Sequence, residues 1–241
     1  MNGFGGAARF VVENYGDSEL ARRFGVKRYP AIFVDDVLVA TPKDFGFYGK
    51  GEGEGGGRYA PLKSAASHDG LRADLTKMIE LVLAGRKDDA RAAAAPSSAP
   101  EIAALPSFTV TDVEGRALTP ADLAGRVVLV EFWATWCPPC RGTLAWLAEV
   151  KKRYGDRVAV VTLAVESDAD DVRARAAELG APMRWALVTP EIARAFGDIS
   201  AVPTLFVFDG KGRAAGALYG APPTLHAEAE AKIEAALTTA R

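Results

Sequence analysis

The stretch Val127-Val128-Leu129-Val130-Glu131-Phe132-Trp133-Ala134-Thr135-Trp136-Cys137-Pro138-Pro139-Cys140-Arg141 decides the fold. Its first seven residues are apolar and mostly β-branched or aromatic, with one acid, Glu131, inside the run. That composition predicts a buried strand. Beyond the second cysteine, Leu144, Leu147 and Val150 fall on one face of a helical pattern that reaches Tyr154, with charges on the other. The Cys-Pro-Pro-Cys quartet therefore marks a strand-to-helix junction, with Cys137 at or before the first helical turn. Proline is tolerated there because the N–H it lacks would go unused.

The placement carries chemistry. Unpaired backbone N–H groups at a helix start stabilise negative charge and favour thiolate over thiol. Such cysteines titrate roughly one to five units below a free thiol. Two intervening residues let the sulfurs meet in a small ring, with Cys137 expected as the exposed attacker and Cys140 as the resolving thiol. These are the only two cysteines of the chain. They exclude a framework of several bridges and leave a redox pair, half a metal site or chance. Zinc needs about four ligands, yet there is no third cysteine, and His68 and His226 lie in separate segments. A purely structural bridge across so short a loop constrains the unfolded chain little. Redox exchange is the stronger reading, and a chain without a spare thiol suits an oxidising compartment.

The run from Glu131 to Cys140 resembles the active-site strand and turn of the thioredoxin superfamily. Upstream, Pro106-Ser107-Phe108-Thr109-Val110-Thr111-Asp112, Gly115-Arg116 and Leu123-Ala124-Gly125-Arg126 are similar to the entry hairpin of its TlpA/ResA-like branch, whose members are extracytoplasmic thiol–disulfide reductases. Ala201-Val202-Pro203-Thr204 resembles that family's cis-proline loop. The match covers nearly all of residues 106–241 and implies an α/β thioredoxin fold, a central mixed sheet flanked by helices. It implies that Glu131 is the buried acid exchanging a proton with Cys140. An acid inside an apolar strand is expected to have a raised pKa. It implies that Pro203 is the cis-proline facing the disulfide and that Val202 pairs through its backbone with a substrate strand. Trp136, Pro138, Pro139 and Thr204 complete the implied substrate site. No metal or organic cofactor is needed; the implied partners are substrate protein disulfides and an upstream thiol donor. Many ResA-like chains carry Glu three residues after the second cysteine and Pro soon after, where this one has Thr143 and Ala145. That departure puts a cytochrome-maturation role in doubt. A disulfide-donating oxidase, a scaffold with a vestigial redox domain, and a peroxidase are the competing functions.

Over the whole chain the formal net charge is −2 in 241 residues, with no block of like charges. Nucleic acid or anionic membrane is thus not an expected partner. No apolar run reaches the roughly 18 residues of a membrane span; the longest, residues 127–136, contains Glu131. The first residues, Met1-Asn2-Gly3-Phe4-Gly5-Gly6, show no basic start followed by an apolar core, so no signal peptide is read in the chain as given.

Two segments flank a linker expected over residues 87–105, rich in Ala, Pro and Ser around Pro96-Ser97-Ser98. A second loop-like region is expected over residues 42–70, where Gly49 to Gly57 alternate with charge but lack a phosphate-loop ending. The segments resemble each other. Glu19-Leu20-Ala21-Arg22-Arg23-Phe24-Gly25 parallels Glu191-Ile192-Ala193-Arg194-Ala195-Phe196-Gly197 at an offset of 172. Pro30-Ala31-Ile32-Phe33-Val34 parallels Pro203-Thr204-Leu205-Phe206-Val207 at 173. Each copy predicts a short helix ended by glycine, then proline, strand, strand and a closing helix, near residues 71–83 and 226–237. The organisation expected is a tandem: a partial, cysteine-free thioredoxin-like domain over 1–86 and a catalytic one over 106–241. Only 29 residues precede Pro30, so a first-copy redox turn would fall upstream of Met1. A strand expected over residues 9–15 would then lack neighbours. Either the natural start lies upstream or the half-domain docks as a redox-silent binding module.

Overall fold

The computed structural model describes residues 4–14, 18–26, 29–45, 57–60, 64–94, 102–197, 199 and 201–239. The chain divides into two compact units, Met1–Ala99 and Pro100–Arg241.

In the first unit, helix α1 (Glu19–Arg23) is started by Ser18, whose Oγ accepts from the Ala21 N–H at 2.8 Å. It ends before Gly25, whose φ of +62° costs glycine no Cβ clash. After the cis Tyr29–Pro30 bond come antiparallel strands β1 (Ile32–Val34) and β2 (Val37–Ala40). Helix α2 (Ala65–Leu83) follows, and then α3 (Lys87–Ala94). Val37 and Val39 of β2 pack with Met78 of α2 and with Ala90 and Ala94 of α3. Arg58 ties the unit together: its Nε bonds Asp44 at 2.7 Å, while Nη2 and Nη1 donate to the carbonyls of Val39 and Ala94.

Three expectations change here. The linker begins later than residue 87, because α3 occupies its first eight residues. Ala90 and Ala94 stand one turn apart and bury against β2, while Asp88 and Asp89 in the first turn and Arg91 in the last suit the helix dipole. The loop read over 42–70 is helical from Ala65, because Ser64 caps α2 by accepting from the Ser67 N–H at 3.1 Å. Gly70 is tolerated inside the helix. Residues 9–14 form no strand and pair with none among the described residues, and Phe10 and Val12 are 68% and 78% exposed. Tyr15, the run from Gly49 to Gly56, and Pro96-Ser97-Ser98 lie outside the described residues.

The second unit opens with the hairpin β3 (Val110–Thr111) and β4 (Ala117–Leu118). Next come β5 (Val127–Trp133), α4 (Pro138–Tyr154), β6 (Val158–Ala164), α5 (Ala169–Leu179), β7 (Arg184–Leu187) and α6 (Pro190–Ala195). Strands β8 (Thr204–Phe208) and β9 (Ala214–Tyr219) and helix α7 (Leu225–Thr239) close it. The sheet runs β7-β6-β5-β8-β9, parallel among β5, β6 and β7 and antiparallel at β8 and β9. This is the mixed sheet flanked by helices that the resemblance implies. Strands β5 and β6 are buried throughout, as their unbroken apolar sequences require of central strands. Parallel neighbours need long crossovers, which α4 and α5 supply.

Both hairpin turns of this unit use one device. Asp112 Oδ1 accepts from the N–H groups of Glu114 and Arg116, and Asp209 Oδ1 from those of Lys211 and Arg213. Gly115 and Gly212 take the left-handed positions that each turn demands, with φ of +83° and +75°. Residues 103–105 also join this unit. Leu105 donates to Gly212 and Ala103 accepts from Ala214, so the end of the expected linker is bonded to the β8–β9 turn. At the far end of α4, Lys151 Nζ donates to the carbonyls of the cap residue Gly155 and of Val158, which opens β6, and so ties the helix end to the next strand.

Candidate active site

Strand β5 delivers the chain to the redox turn, and α4 carries it away. Cys137 is the N-cap of α4, its backbone extended and its Sγ accepting from the Cys140 N–H at 3.3 Å. Pro138 and Pro139 fill the first helical positions and are exposed. Cys137 and Cys140 form a disulfide. The sequence expects Cys137 to be exposed, but in this oxidised state it is only 3% exposed, and Cys140 is fully buried. Capping explains the difference, because turning the sulfur inward to the Cys140 amide takes it away from solvent.

The turn before Cys137 is held from two sides. Cys137 N–H donates to the Ala134 carbonyl at 3.1 Å and closes the turn on itself. Across the gap, the segment after β6 supplies further bonds. Thr135 N–H and Thr135 Oγ1 both reach Ser167 Oγ, at 3.0 and 3.2 Å, and Trp136 Nε1 donates to the Glu166 carbonyl at 3.1 Å. Trp136, next to Cys137 in the chain, is 58% exposed. Trp133 is core instead, its ring edge-on to Trp185 at 5.7 Å.

Glu131 is fully buried. Directly paired residues share a sheet face, so Glu131 stands in a row with Thr162 and Leu205, flanked by Leu129 and Trp133. The Thr162 hydroxyl donates to the Arg184 carbonyl. Among the described residues neither carboxyl oxygen of Glu131 has a hydrogen-bond partner, and neither has Trp133 Nε1. Burial without a compensating charge pushes the Glu131 carboxyl well above the ordinary carboxylate range.

The loop entering β8 carries the expected cis-proline. The Val202–Pro203 bond is cis, and Pro203 is buried. Gly220 N–H donates to the Pro203 carbonyl at 2.8 Å. Val202 is half-buried. Thr204, expected to face substrate, is buried and spends its hydroxyl on the Ala201 carbonyl at 2.8 Å, so it shapes the loop instead of lining its surface. Both histidines are exposed, His226 stacked on Trp146, and no cluster of metal-ligating side chains occurs among the described residues.

A family model described as Redoxin matches residues 100–237, more than half of the chain. The chain belongs to the Redoxin family. Within this Redoxin-family unit the TlpA/ResA-like thioredoxin resemblance holds. The chain is 32% identical over 112 residues to the thioredoxin-like protein YneN of Bacillus subtilis, covering 44% of this chain and 64% of that one. It is 29% identical over 111 residues to the thiol-disulfide oxidoreductase ResA of Bacillus thuringiensis, covering 45% and 63%. The chain thus spans less than two thirds of the length of these curated relatives. A thiol:disulfide interchange protein of the thioredoxin family from Chlorobium tepidum superposes with a TM-score of 0.52 at 32% identity, over 58% of this chain and 99% of that one.

Sequence reasoning missed Glu166 and Ser167. Their only signal is place: both follow the C-terminal end of a parallel strand, where open α/β sheets build their sites. Nothing in their residue types marks them, since a Glu-Ser-Asp run before a helix reads as an ordinary cap.

Proposed function

We propose that the Redoxin-family unit is a thiol–disulfide oxidoreductase that reduces disulfides in protein substrates through Cys137 and Cys140. The observation that carries this reading is the Cys137–Cys140 disulfide at the start of α4, with Cys137 Sγ accepting the Cys140 N–H. Once the pair is reduced, the same amide and the helix end stabilise a Cys137 thiolate. That thiolate attacks one sulfur of a substrate disulfide; the substrate S–S bond breaks, and the departing sulfur takes a proton. Cys140 then loses its proton and attacks Cys137 Sγ, releasing the second substrate thiol and leaving Cys137–Cys140 oxidised. Two electrons pass from the pair to the substrate, and an upstream thiol donor restores them.

Glu131 is the proposed proton store for Cys140: a carboxyl lifted by burial exchanges a proton closer to neutral pH than an ordinary one. Pro203 and the Val202 backbone are the proposed seat for the substrate strand, with Trp136, Pro138 and Pro139 as its exposed rim. An extracytoplasmic location is part of this reading, as the TlpA/ResA-like resemblance implies; no described helix is long and apolar enough to cross a membrane. We also read the first segment as the later half of a cysteine-free thioredoxin-like unit. The helix, glycine, cis-proline, two strands and helix that recur in both units support this.

Direction is tested by running the exchange both ways. Reduced protein is mixed with insulin, and oxidised protein with a reduced, unfolded dithiol substrate, and free thiols are followed. A reductase consumes insulin disulfides faster than it oxidises the dithiol. The opposite order assigns a disulfide-donating oxidase.

A further inference from the structure

The segment that follows β6 bonds to the redox turn through one hydroxyl. A serine hydroxyl has one donor and two acceptor positions. Ser167 uses all three: Oγ donates to the Val165 carbonyl at 2.8 Å and accepts from Thr135 N–H and Thr135 Oγ1 at 3.0 and 3.2 Å. On one side of it, the Val165 N–H donates to the Trp133 carbonyl at 2.8 Å and extends the β5–β6 ladder by one bond. On the other, the Glu166 carbonyl receives Trp136 Nε1. Glu166 takes a φ of +43°, a conformation uncommon for a side-chain-bearing residue. Three successive residues, 165–167, therefore grip three of the four residues 133–136 that lead into Cys137.

We propose that Ser167 is a positioning residue for the redox turn, holding Thr135 so that Cys137 stays seated as the N-cap of α4. The inference rests on the exchange function proposed above and adds a residue outside the turn, the cis-proline loop and the buried acid. Its physical content is simple. Thr135 is two residues from Cys137, and its N–H has Ser167 Oγ as its bonded acceptor. Without that hydroxyl, Thr135 N–H and the Val165 carbonyl lose their partner together, and the turn gains freedom. A capping sulfur that spends less time at the Cys140 amide is a poorer thiolate.

The test is the pH profile of Cys137 alkylation in fully reduced protein, with the modified site read by peptide mass. Ser167→Ala is expected to move the alkylation midpoint upward by about half a unit, roughly a threefold smaller thiolate fraction below it. Ser167→Thr keeps the hydroxyl and is expected to stay at the wild-type midpoint. Thr189→Ala, which removes the cap of α6, is the control for general loosening: it lowers the melting temperature and leaves the midpoint in place. An unmoved midpoint in Ser167→Ala overturns the proposal. So does a shift in Ser167→Thr or Thr189→Ala as large as that in Ser167→Ala. Alkylation needs no disulfide partner, so the outcome stands apart from the exchange function. If the wild type exchanges no disulfides but its midpoint still responds to Ser167, the positioning role stands and the functional reading falls.

Discussion

Replacing Cys137 by serine is expected to remove thiol–disulfide exchange to the uncatalysed background, a loss of more than about a thousandfold. Cys140→Ser is expected to fail differently. Its Cys137 still attacks, but nothing resolves the product, so a covalent mixed disulfide with the substrate accumulates and runs as a heavier band without reductant. The asymmetry follows from position. Cys137 caps α4 and holds the amide-stabilised sulfur, whereas Cys140 lies one turn inside the helix and is fully buried. Non-reducing electrophoresis of both variants with a disulfide-bonded protein checks it. Trapping by Cys140→Ser and none by Cys137→Ser is the expected pattern; trapping by Cys137→Ser alone would reverse the assigned roles.

The second large effect concerns Glu131, whose carboxyl is buried without a hydrogen-bond partner among the described residues. Burying such a group costs about 1–3 kcal/mol even when it is neutral. Glu131→Leu, with a side chain of similar reach, is therefore expected to fold more stably than the wild type by about that amount. The pH dependence has a definite sign. The folded carboxyl has its pKa raised by burial, so above the unfolded value of about 4.3 the native state binds more protons than the unfolded one. Wild-type stability then falls as pH rises, by up to about 1.4 kcal/mol per pH unit, until the folded pKa is passed. Glu131→Leu and Glu131→Gln lack this slope, so their advantage over wild type widens with rising pH above about 4.3. Urea unfolding at several pH values measures the gap. The same variants are expected to exchange disulfides slower by about tenfold or more, the stabilisation coming at the expense of proton transfer from Cys140. An unchanged exchange rate in Glu131→Gln would remove Glu131 from the mechanism while leaving the stability prediction intact.

How far the sequence could be read depends on whether a residue's neighbours are local. The run from Val127 to Tyr154 was legible because burial, period and capping are all set within it. An unbroken apolar strand is buried, a 3.6-residue period gives a helix, and Cys-Pro-Pro-Cys marks the junction. The helix–glycine–proline–strand order was legible in both units for the same reason, and the structure places a cis bond at Pro30 as well as at Pro203. What could not be read depends on partners distant in sequence. Residues 9–14 have strand composition, but a strand needs an edge to bond to, and composition does not report one. Lys87–Ala94 has linker composition, yet Ala90 and Ala94 are buried with Val37 and Val39, neighbours that only the folded unit provides. The grip of Ser167 on Thr135 spans 32 residues, and no local pattern announces it.

The central claim is that Cys137 and Cys140 form a reversible two-electron pair. Its most direct measurement is a redox titration of the purified protein. Samples are equilibrated across a series of glutathione or dithiothreitol ratios, quenched with an alkylating reagent and read by mass. The expected result is a single transition from a species with two alkyl groups to one with none. Its midpoint is expected toward thioredoxin's value of about −270 mV, which suits a reductase, with one near about −120 mV indicating an oxidase instead. Two alkyl groups at every poise, with no Cys137–Cys140 disulfide at any ratio, would contradict the claim and leave a scaffold with a vestigial redox turn.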